Sequence, residues 1–259
     1  MTKADAASMI SPQSRYYPWA LLAVLWIAYL SSAFDKIVIS LLVEPIKVDF
    51  GLSDTKMGLL LGPAFIIVFA VASFPMGILV DRVNRTRLLA VAVGIWSLMT
   101  GLCGLASSFW LLFFARAGIG LGQAALTPAG YSLISDSFKK ERLGLALGIF
   151  IMGGAVGAGL SFVVGGAVIG ALSRHGDTYI PLLGVLHPWQ LTFVVLAVPS
   201  LLMAPVVWAM PNPPRKTMAA IPTGPGSESA LKSFYHNEVR RVHYCAMGFG
   251  SMDAERKTP

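Results

Sequence analysis

The sequence predicts an all-α membrane protein with six transmembrane helices, and three observations carry this prediction. Charged residues make up only 13% of the 259 residues, against roughly 25% in soluble domains. Several uncharged apolar runs exceed 18 residues, and the mean hydropathy is +0.68. The runs lack the polar and apolar alternation of a membrane barrel, so helices are the structure that satisfies their backbone hydrogen bonds in lipid.

The spans follow from the spacing of the charges. The segment between Arg87 and Asp136 has 48 residues and a single charge, Arg116. At about 1.5 Å per residue it is ~70 Å long, enough for two crossings of a ~30 Å core. A turn is therefore predicted at 105–110, which places Arg116 inside the membrane. We number the predicted spans 1 to 6, at residues 17–42, 56–80, 88–106, 109–135, 143–171 and 190–209.

The distribution of cations predicts the orientation. Fifteen of the 20 Lys and Arg residues lie before span 1, in segments 81–87 and 136–142, or after span 6, and three lie in the opposite loops. Since cations favour the cytoplasmic side, we predict a multi-pass protein of the inner (plasma) membrane with both termini cytoplasmic. The predicted regions are a cytoplasmic N-terminus (1–16), a transmembrane bundle (17–210) and a cytoplasmic central-linker segment (211–259). Trp110 and Trp189 are expected at the opposite interface.

Two charges fall inside predicted spans at matched depth. Asp35 and Arg116 each lie seven residues, or ~10 Å, from the outer end of their helix. A buried charge needs a partner or a hydrated cavity, so the two are expected to form a pair facing a shared cavity. One interpretation is a salt bridge that only orients spans 1 and 4. The other is a pair that responds to protons or substrate. Lys36 is ~100° away around the helix and is expected to face elsewhere.

Small and polar residues mark further contacts in spans 4 and 5. Gln123 shares a helix face with Arg116 and falls near the middle of the membrane. It is expected either in the cavity or in hydrogen bonds that join helices. We expect close helix packing at four glycines, with bending of span 5 as the alternative. These are Gly120, Gly122, Gly154 and Gly157.

Several other classes of protein are not supported by the residues. No nucleophile, base and oxyanion set predicts an enzyme, and no phosphate-binding loop or cofactor fingerprint is present. No metal site is expected at His175 or His187, which lack a cluster of ligands. The scattered cations form no basic aromatic patch for nucleic acid. The expected partners are the lipid bilayer, a small-molecule solute and protons.

The charged connection between spans 2 and 3 has two interpretations. Segment 81–87 contains Asp81, Arg82, Arg85 and Arg87. Its arginines orient the hairpin by the rule for cytoplasmic cations. A second role is a gating latch against another part of the protein.

Two sequence motifs, one between spans 2 and 3 and one in span 4, resemble signatures of the major facilitator superfamily. Gly77-Ile-Leu-Val-Asp81-Arg82-Val-Asn84-Arg85 is similar to its loop 2–3 signature, Gly-x-Leu-x-Asp-Arg-x-Gly-Arg. Arg116-x-x-x-Gly120-x-Gly122 is similar to its helix 4 signature. Asn84 replaces the usual Gly, and this replacement is tolerable because Asn also adopts left-handed backbone geometry. Within the superfamily, "LLVEPIK", "GLSD" and "ALTPAGYSLISDSF" resemble the Spinster-like branch.

The resemblance implies the N-terminal half of a twelve-helix transporter, built as two inverted three-helix repeats. It implies that Asp35 and Arg116 occupy proton-coupling and substrate-responsive positions. Lys36 stands for the branch's usual Arg, and Gln123 for its usual Glu, which removes a second titratable group. Gly77, Asp81, Arg82 and Arg85 would form the gate, with Asp81 near a helix N-terminus of the second half and the arginines near acidic partners.

The expected function is transport of a small organic or amphipathic solute by alternating access, either coupled to protons or facilitated. In the C-terminal segment, 211–228 resembles the start of a central linker, 229–244 is a candidate amphipathic helix, and 245–252 begins like a seventh span. We interpret the chain as truncated or frameshifted. The alternative function is therefore a six-helix membrane protein that does not transport on its own.

Overall fold

Six long helices form the body of the protein. The computed structural model describes residues 16–180 and 184–216. Within these residues, six helices are long and apolar enough to cross a membrane, which confirms the predicted number. We keep the names span 1 to span 6 for Tyr17–Leu41, Asp54–Arg82, Arg85–Gly104, Phe109–Ser137, Lys140–His175 and Pro188–Ala209.

The spans belong to the first of two compact units, which is Met1–Pro214, while the second is Arg215–Pro259. Three predicted features lie outside the described residues: the N-terminal segment before Tyr16, the amphipathic helix at 229–244 and the start of a seventh span at 245–252.

Side-chain caps fix where three of the helices begin. The oxygens of Ser53, Asn84 and Ser108 accept hydrogen bonds from main-chain N–H groups three residues later. Such caps satisfy donors that a helix leaves open at its first turn. Asn84 has φ −69° and ψ 113°, which is extended backbone. Asn84 therefore does not use the left-handed geometry that made the replacement of Gly tolerable, because this position serves as the N-cap of span 3.

Two of the spans are interrupted. Span 2 consists of the helices Asp54–Leu61 and Pro63–Arg82. Pro63 lacks a backbone N–H and suits the first position of the second helix. Span 4 consists of Phe109–Gln123 and Leu126–Ser137. A helical segment of span 4 therefore ends at Gln123, one of the predicted site residues.

The spans pack into one bundle. Span 1 packs mainly against span 5, span 3 against spans 4 and 6, and span 2 against span 4. Large apolar side chains such as Trp96, Phe150 and Phe193 are fully buried between them. Other apolar side chains stay exposed on the outside, including Phe74 of span 2 and Val163 of span 5. Such surfaces suit lipid or a further set of helices.

The two ends of the bundle differ. At the end where span 1 begins, the Tyr17 hydroxyl donates a hydrogen bond to the Pro211 carbonyl, and the rings of Trp19 and Phe138 meet edge to face. We call this the Tyr17 end. At the opposite, His187 end lie a short helix, Val43–Phe50, and an antiparallel hairpin of β1 (Thr178–Ile180) and β2 (Gly184–Leu186). The sequence had predicted only loops between the spans at this end.

Trp189 does not lie at a lipid interface, contrary to the prediction. It is 3% exposed, its Nε1 donates to an Asp49 carboxylate oxygen at 3.1 Å, and its ring packs on Phe50. The predicted partner in the interfacial belt, Trp110, is 63% exposed. Trp189 therefore joins span 6 to the short helix instead of anchoring the protein in the membrane.

His187 ties three segments together at its end of the bundle. Its Nδ1 lies 2.8 Å from an Asp177 carboxylate oxygen, and its Nε2 lies 3.4 Å from an Asp49 carboxylate oxygen. The hydrogen bond with Asp177 raises the pKa of His187 above its ordinary value, and the charges of Asp49 and Asp177 add to this effect. Protonated imidazole donates from both nitrogens and satisfies both carboxylates.

This geometry predicts a pH dependence of stability. Because the pKa of His187 is raised on folding, its contribution is fully present below the ordinary histidine pKa of about 6.5 and is lost as the pH rises through the raised value. We expect the thermal unfolding temperature of the wild type to fall between about pH 6 and about pH 8. His187→Gln should flatten this part of the profile, whereas His175→Gln, which changes an exposed histidine bonded within its own helix, should leave it intact. Equal profiles for the wild type and His187→Gln would refute the assignment.

Candidate functional site

A buried polar cluster joins spans 1 and 4 inside the bundle. Asp35, Arg116 and Gln123 are each 1% exposed. The Arg116 guanidinium donates from Nη1 to the main-chain oxygen of Asp35 at 2.8 Å. The Gln123 amide donates from Nε2 to a carboxylate oxygen of Asp35 at 3.4 Å. The structure therefore brings together the three residues that the sequence singled out, with Asp35 in contact with both of the others.

The contact between Asp35 and Arg116 differs from the expected salt bridge. No ion pair within 4.0 Å joins their charged groups in the described chain. The guanidinium instead contacts the backbone of span 1 and lies 5.7 Å from the centre of the Phe65 ring. Its Nε is buried without a hydrogen-bond partner among the described residues. Arg116 thus keeps donor capacity that local contacts do not use.

Sequence reasoning missed one member of the surroundings, Ser32. The Ser32 hydroxyl donates to the Gln123 carbonyl oxygen at 2.8 Å, so the amide of Gln123 is held at both ends. Ser32 lies three residues before Asp35 and so shares its helix face, which was an available signal. Lys36 turns away from the cluster, as expected, and its Nζ lies 5.3 Å from the ring centre of Phe69 in span 2. The attraction of a cation to an aromatic face accounts for this partly buried position.

Close contacts between helices surround the cluster. A Cβ on Gly120 would lie 2.7 Å from the Phe65 carbonyl oxygen of span 2, and one on Gly122 would lie 2.8 Å from the Ala92 carbonyl oxygen of span 3. In span 5, a Cβ on Gly157 would lie 2.6 Å from the Leu30 carbonyl oxygen, and one on Gly154 would lie 3.0 Å from the Tyr29 ring. The backbones of spans 4 and 5 therefore approach their neighbours at distances that larger residues would disturb.

The predicted gating residues are divided between the surface and the interior. Gly77, Asp81 and Arg82 lie on the last turns of span 2, where Asp81 and Arg82 are exposed. Arg85 is fully buried and forms an ion pair with Asp136 of span 4. The expected acidic partner of this arginine therefore lies within the same six helices, and a latch to a second half is not required to neutralise it.

Arg85 also makes hydrogen bonds to other elements. Its guanidinium donates to the Ser132 hydroxyl at 2.9 Å, to the Asn212 side-chain oxygen at 3.2 Å and to the Pro213 carbonyl at 2.6 Å. Span 3, span 4 and the chain after span 6 thus meet on one side chain. The sequence motif identified Arg85 but not this set of partners, because Asn212 and Pro213 are far away along the chain.

The chemistry available in the cluster is limited and specific. Asp35 can change charge, Arg116 offers a fixed positive charge, and Gln123 offers an amide that cannot titrate. Within residues 16–180 and 184–216, no three His, Cys, Asp or Glu residues come together to hold a metal ion. A buried acid beside a buried guanidinium has the chemistry to bind a proton or an anionic group.

Comparison with known proteins places the chain in a family. The sequence model of the Major Facilitator Superfamily matches residues 25–253. The chain belongs to the major facilitator superfamily. The relatives and structures below place this superfamily member in the Spinster-like branch.

Among curated relatives, an MFS-type efflux pump of Mycolicibacterium smegmatis is 29% identical over 73% of this chain and 41% of its own length. Protein spinster homolog 1 of Homo sapiens is 31% identical over 57% of this chain and 28% of its own length. The chain thus spans less than half the length of the curated relatives it matches.

Solved structures give the same result. A bacterial homologue of the human lysosomal transporter Spinster, in an inward-facing and unoccupied conformation, superposes with a TM-score of 0.72 and 33% identity, covering 81% of this chain and 47% of that one. The proton:xylose symporter XylE, bound to 6-bromo-6-deoxy-D-glucose, superposes with a TM-score of 0.63 at 18% identity, covering 76% and 45%. The second likeness concerns the fold alone. The protein therefore has six of the helices of a major facilitator fold.

Proposed function

We propose that this major facilitator protein contributes one half of a secondary transporter that moves a small organic or amphipathic solute by alternating access. The observation that carries the proposal is the buried cluster of Asp35, Arg116 and Gln123. A carboxylate and a guanidinium without an ion pair between them are costly inside a membrane bundle, and such groups mark solute or proton pathways. Spans 1 and 4 supply these groups, as expected for equivalent helices of two repeats around a central site.

The proposed solute carries a negative charge. The Arg116 guanidinium and the Gln123 amide supply hydrogen-bond donors, and the guanidinium suits a carboxylate or phosphate group. Two relatives have anionic solutes in their names: the Probable L-galactonate transporter of Escherichia coli and the Sphingosine-1-phosphate transporter SPNS2 of Mus musculus. An organic anion, with or without an apolar tail, is the class that fits both the cluster and these names.

Protons are the proposed coupling ion, and Asp35 is the group that binds them. Gln123 occupies the position at which the branch usually has Glu, and an amide does not titrate. Coupling would therefore depend on a single carboxylate in the cluster. When Asp35 binds a proton, the hydrogen bond that its carboxylate accepts from the Gln123 amide loses its charged acceptor and weakens. Protonation in span 1 is thereby linked to the segment of span 4 that ends at Gln123.

The transporting assembly is proposed to include a second set of six helices, with the protein in the plasma membrane and both termini cytoplasmic. Apolar side chains exposed on spans 2 and 5 support this, since they suit contact with further helices as well as lipid. The alternative is a six-helix membrane protein without transport of its own.

Proteoliposomes distinguish these two functions. The chain is reconstituted alone and together with a complementary six-helix half, and uptake of labelled L-galactonate and sphingosine-1-phosphate is measured under an imposed pH gradient. We expect saturable uptake of an anionic solute only when both halves are present. Absence of uptake from both preparations, with both proteins correctly folded, would favour the non-transporting alternative.

The proposed gate gives a separate prediction. Asp81 is an exposed carboxylate at the end of span 2, and in the assembled transporter we expect it to face a helix N-terminus of the second half. Asp81→Asn should change the uptake rate severalfold, because such an interaction contributes on the order of 1 kcal/mol to one conformation. Asp54→Asn, which alters an exposed carboxylate paired with Lys47 at the His187 end, is the control. Unchanged uptake and an unchanged conformational balance in Asp81→Asn would remove Asp81 from the gate.

A further inference from the structure

A basic cavity lies at the Tyr17 end, away from the polar cluster. It encloses about 440 Å³ between the start of span 1 and the connection from span 4 to span 5. The lining residues are Pro18, Trp19, Ser137, Phe138, Lys139 and Arg142. Its walls thus combine two aromatic rings with two cationic side chains.

Positive charge in this cavity comes from two sources. Lys139 and Arg142 have exposed side chains, and neither takes part in an ion pair in the described part of the chain. Lys139 is also the N-cap of span 5, and no side chain caps the first N–H groups of this 36-residue helix. Open N–H groups and the helix dipole add partial positive charge there. Glu141, in the first turn, opposes this charge but does not line the cavity.

A polar atom of the cavity lacks a partner. The Oγ of Ser137 is buried and has no hydrogen-bond partner among the described residues. Buried hydroxyls in folded proteins are almost always hydrogen-bonded. Ser137 is a lining residue of the cavity, so an acceptor bound there, such as a phosphate oxygen, lies beside this unpartnered hydroxyl and the two cations.

An apolar groove continues from the cavity. Trp19 lines both, and the groove runs along spans 1 and 5 with a volume of about 430 Å³. Its other lining residues are Leu22, Ala23, Trp26, Ile27 and Ile149. A basic, partly aromatic cavity at the end of an apolar groove matches a molecule with an anionic head and a hydrocarbon chain.

We propose that this surface binds an anionic phospholipid of the surrounding membrane. The phosphate lies in the cavity near Ser137, Lys139 and Arg142, and an acyl chain follows the groove beside Trp26. Basic pockets at one membrane surface recognise anionic headgroups in this way. The site shares no residue with the Asp35 cluster, so it does not depend on which solute is transported.

Native mass spectrometry of the delipidated full chain tests the site. The probes are phosphatidylglycerol and phosphatidylcholine with identical acyl chains, and glycerol 3-phosphate serves as a headgroup without chains. The wild type should prefer phosphatidylglycerol. The double variant Lys139→Ala/Arg142→Ala should reduce this preference by about tenfold or more, because each cation near a membrane surface contributes severalfold to binding of anionic lipid. Lys139→Arg/Arg142→Lys keeps both charges and should retain it.

Two further variants separate the alternatives. Lys56→Ala/Arg174→Ala removes two cations from the opposite end and should leave the preference intact. Ala23→Trp fills the groove and should weaken phosphatidylglycerol binding, while glycerol 3-phosphate should compete poorly with the lipid. Equal binding of the two lipids by the wild type, or an unchanged preference in Lys139→Ala/Arg142→Ala that still elutes as a folded monodisperse protein, would overturn the proposal. Full competition by glycerol 3-phosphate together with no effect of Ala23→Trp would identify a free-phosphate site and overturn the lipid assignment.

Discussion

Replacing Arg85 with alanine should destabilise the bundle by about 3 kcal/mol or more, which is the usual cost of removing one partner of a buried ion pair. Arg85 is fully buried, is paired with Asp136 and donates to Ser132, Asn212 and Pro213. Alanine removes all of these contacts at once from the junction of span 3, span 4 and the chain after span 6. Thermal unfolding of the purified protein in detergent measures the loss.

The neighbouring arginine provides the control for this experiment. Arg82 is exposed on the last turn of span 2, so Arg82→Ala should leave the unfolding temperature almost unchanged. Arg85→Lys keeps a positive charge near Asp136 but lacks the planar fork, so its stability should be intermediate. If Arg85→Ala unfolds at the wild-type temperature, the buried junction is not a stabilising feature of the fold.

Replacing Arg116 with leucine should lower transport by about a hundredfold without a comparable loss of stability. The guanidinium contacts the backbone of span 1 and lacks an ion pair with Asp35, and its Nε has no partner in the described chain. Replacing a poorly compensated buried charge with an apolar residue is often neutral or stabilising. Loss of a charged hydrogen bond to an anionic solute would lower uptake by about a hundredfold.

The two interpretations of Arg116 predict opposite patterns. If this residue only orients spans 1 and 4, Arg116→Leu should lower the unfolding temperature and reduce uptake in proportion to the folded protein that remains. Uptake by the assembled transporter and thermal unfolding are therefore measured on the same preparation. Arg174→Leu, at an exposed site bonded within its own helix, is the control and should change neither quantity.

The number of spans was predictable from the sequence because the membrane imposes a simple physical rule. Each crossing requires a long apolar run with internally bonded backbone, and charges interrupt the runs. The turn between spans 3 and 4 followed from helix length alone, since 48 residues with one charge are too many for a single crossing. Matched depth then indicated that Asp35 and Arg116 lie close together.

Individual contacts between side chains were harder to predict from the sequence. Depth does not specify which atom of Asp35 faces Arg116, and the guanidinium contacts the backbone oxygen instead of the carboxylate. Left-handed geometry made Asn84 a tolerable replacement for the Gly of the family pattern, but capping of span 3 determines its backbone. Trp189 lies at a helix start, a typical interfacial position, yet Asp49 and Phe50 bury it. The contacts of Arg116 and Trp189 depend on residues distant in sequence, which local patterns do not identify, whereas the cap at Asn84 is local.

The most direct test of the proposed mechanism is uptake driven by a pH gradient in proteoliposomes that contain the assembled transporter with Asp35→Asn. Asparagine is similar in size to aspartate and keeps a hydrogen-bonding side chain beside Gln123, but it cannot bind and release a proton. If Asp35 is the coupling group, the variant loses stimulation of uptake by the pH gradient, whereas Asp54→Asn retains it. Full stimulation in Asp35→Asn would contradict the role of the buried cluster in proton-coupled transport.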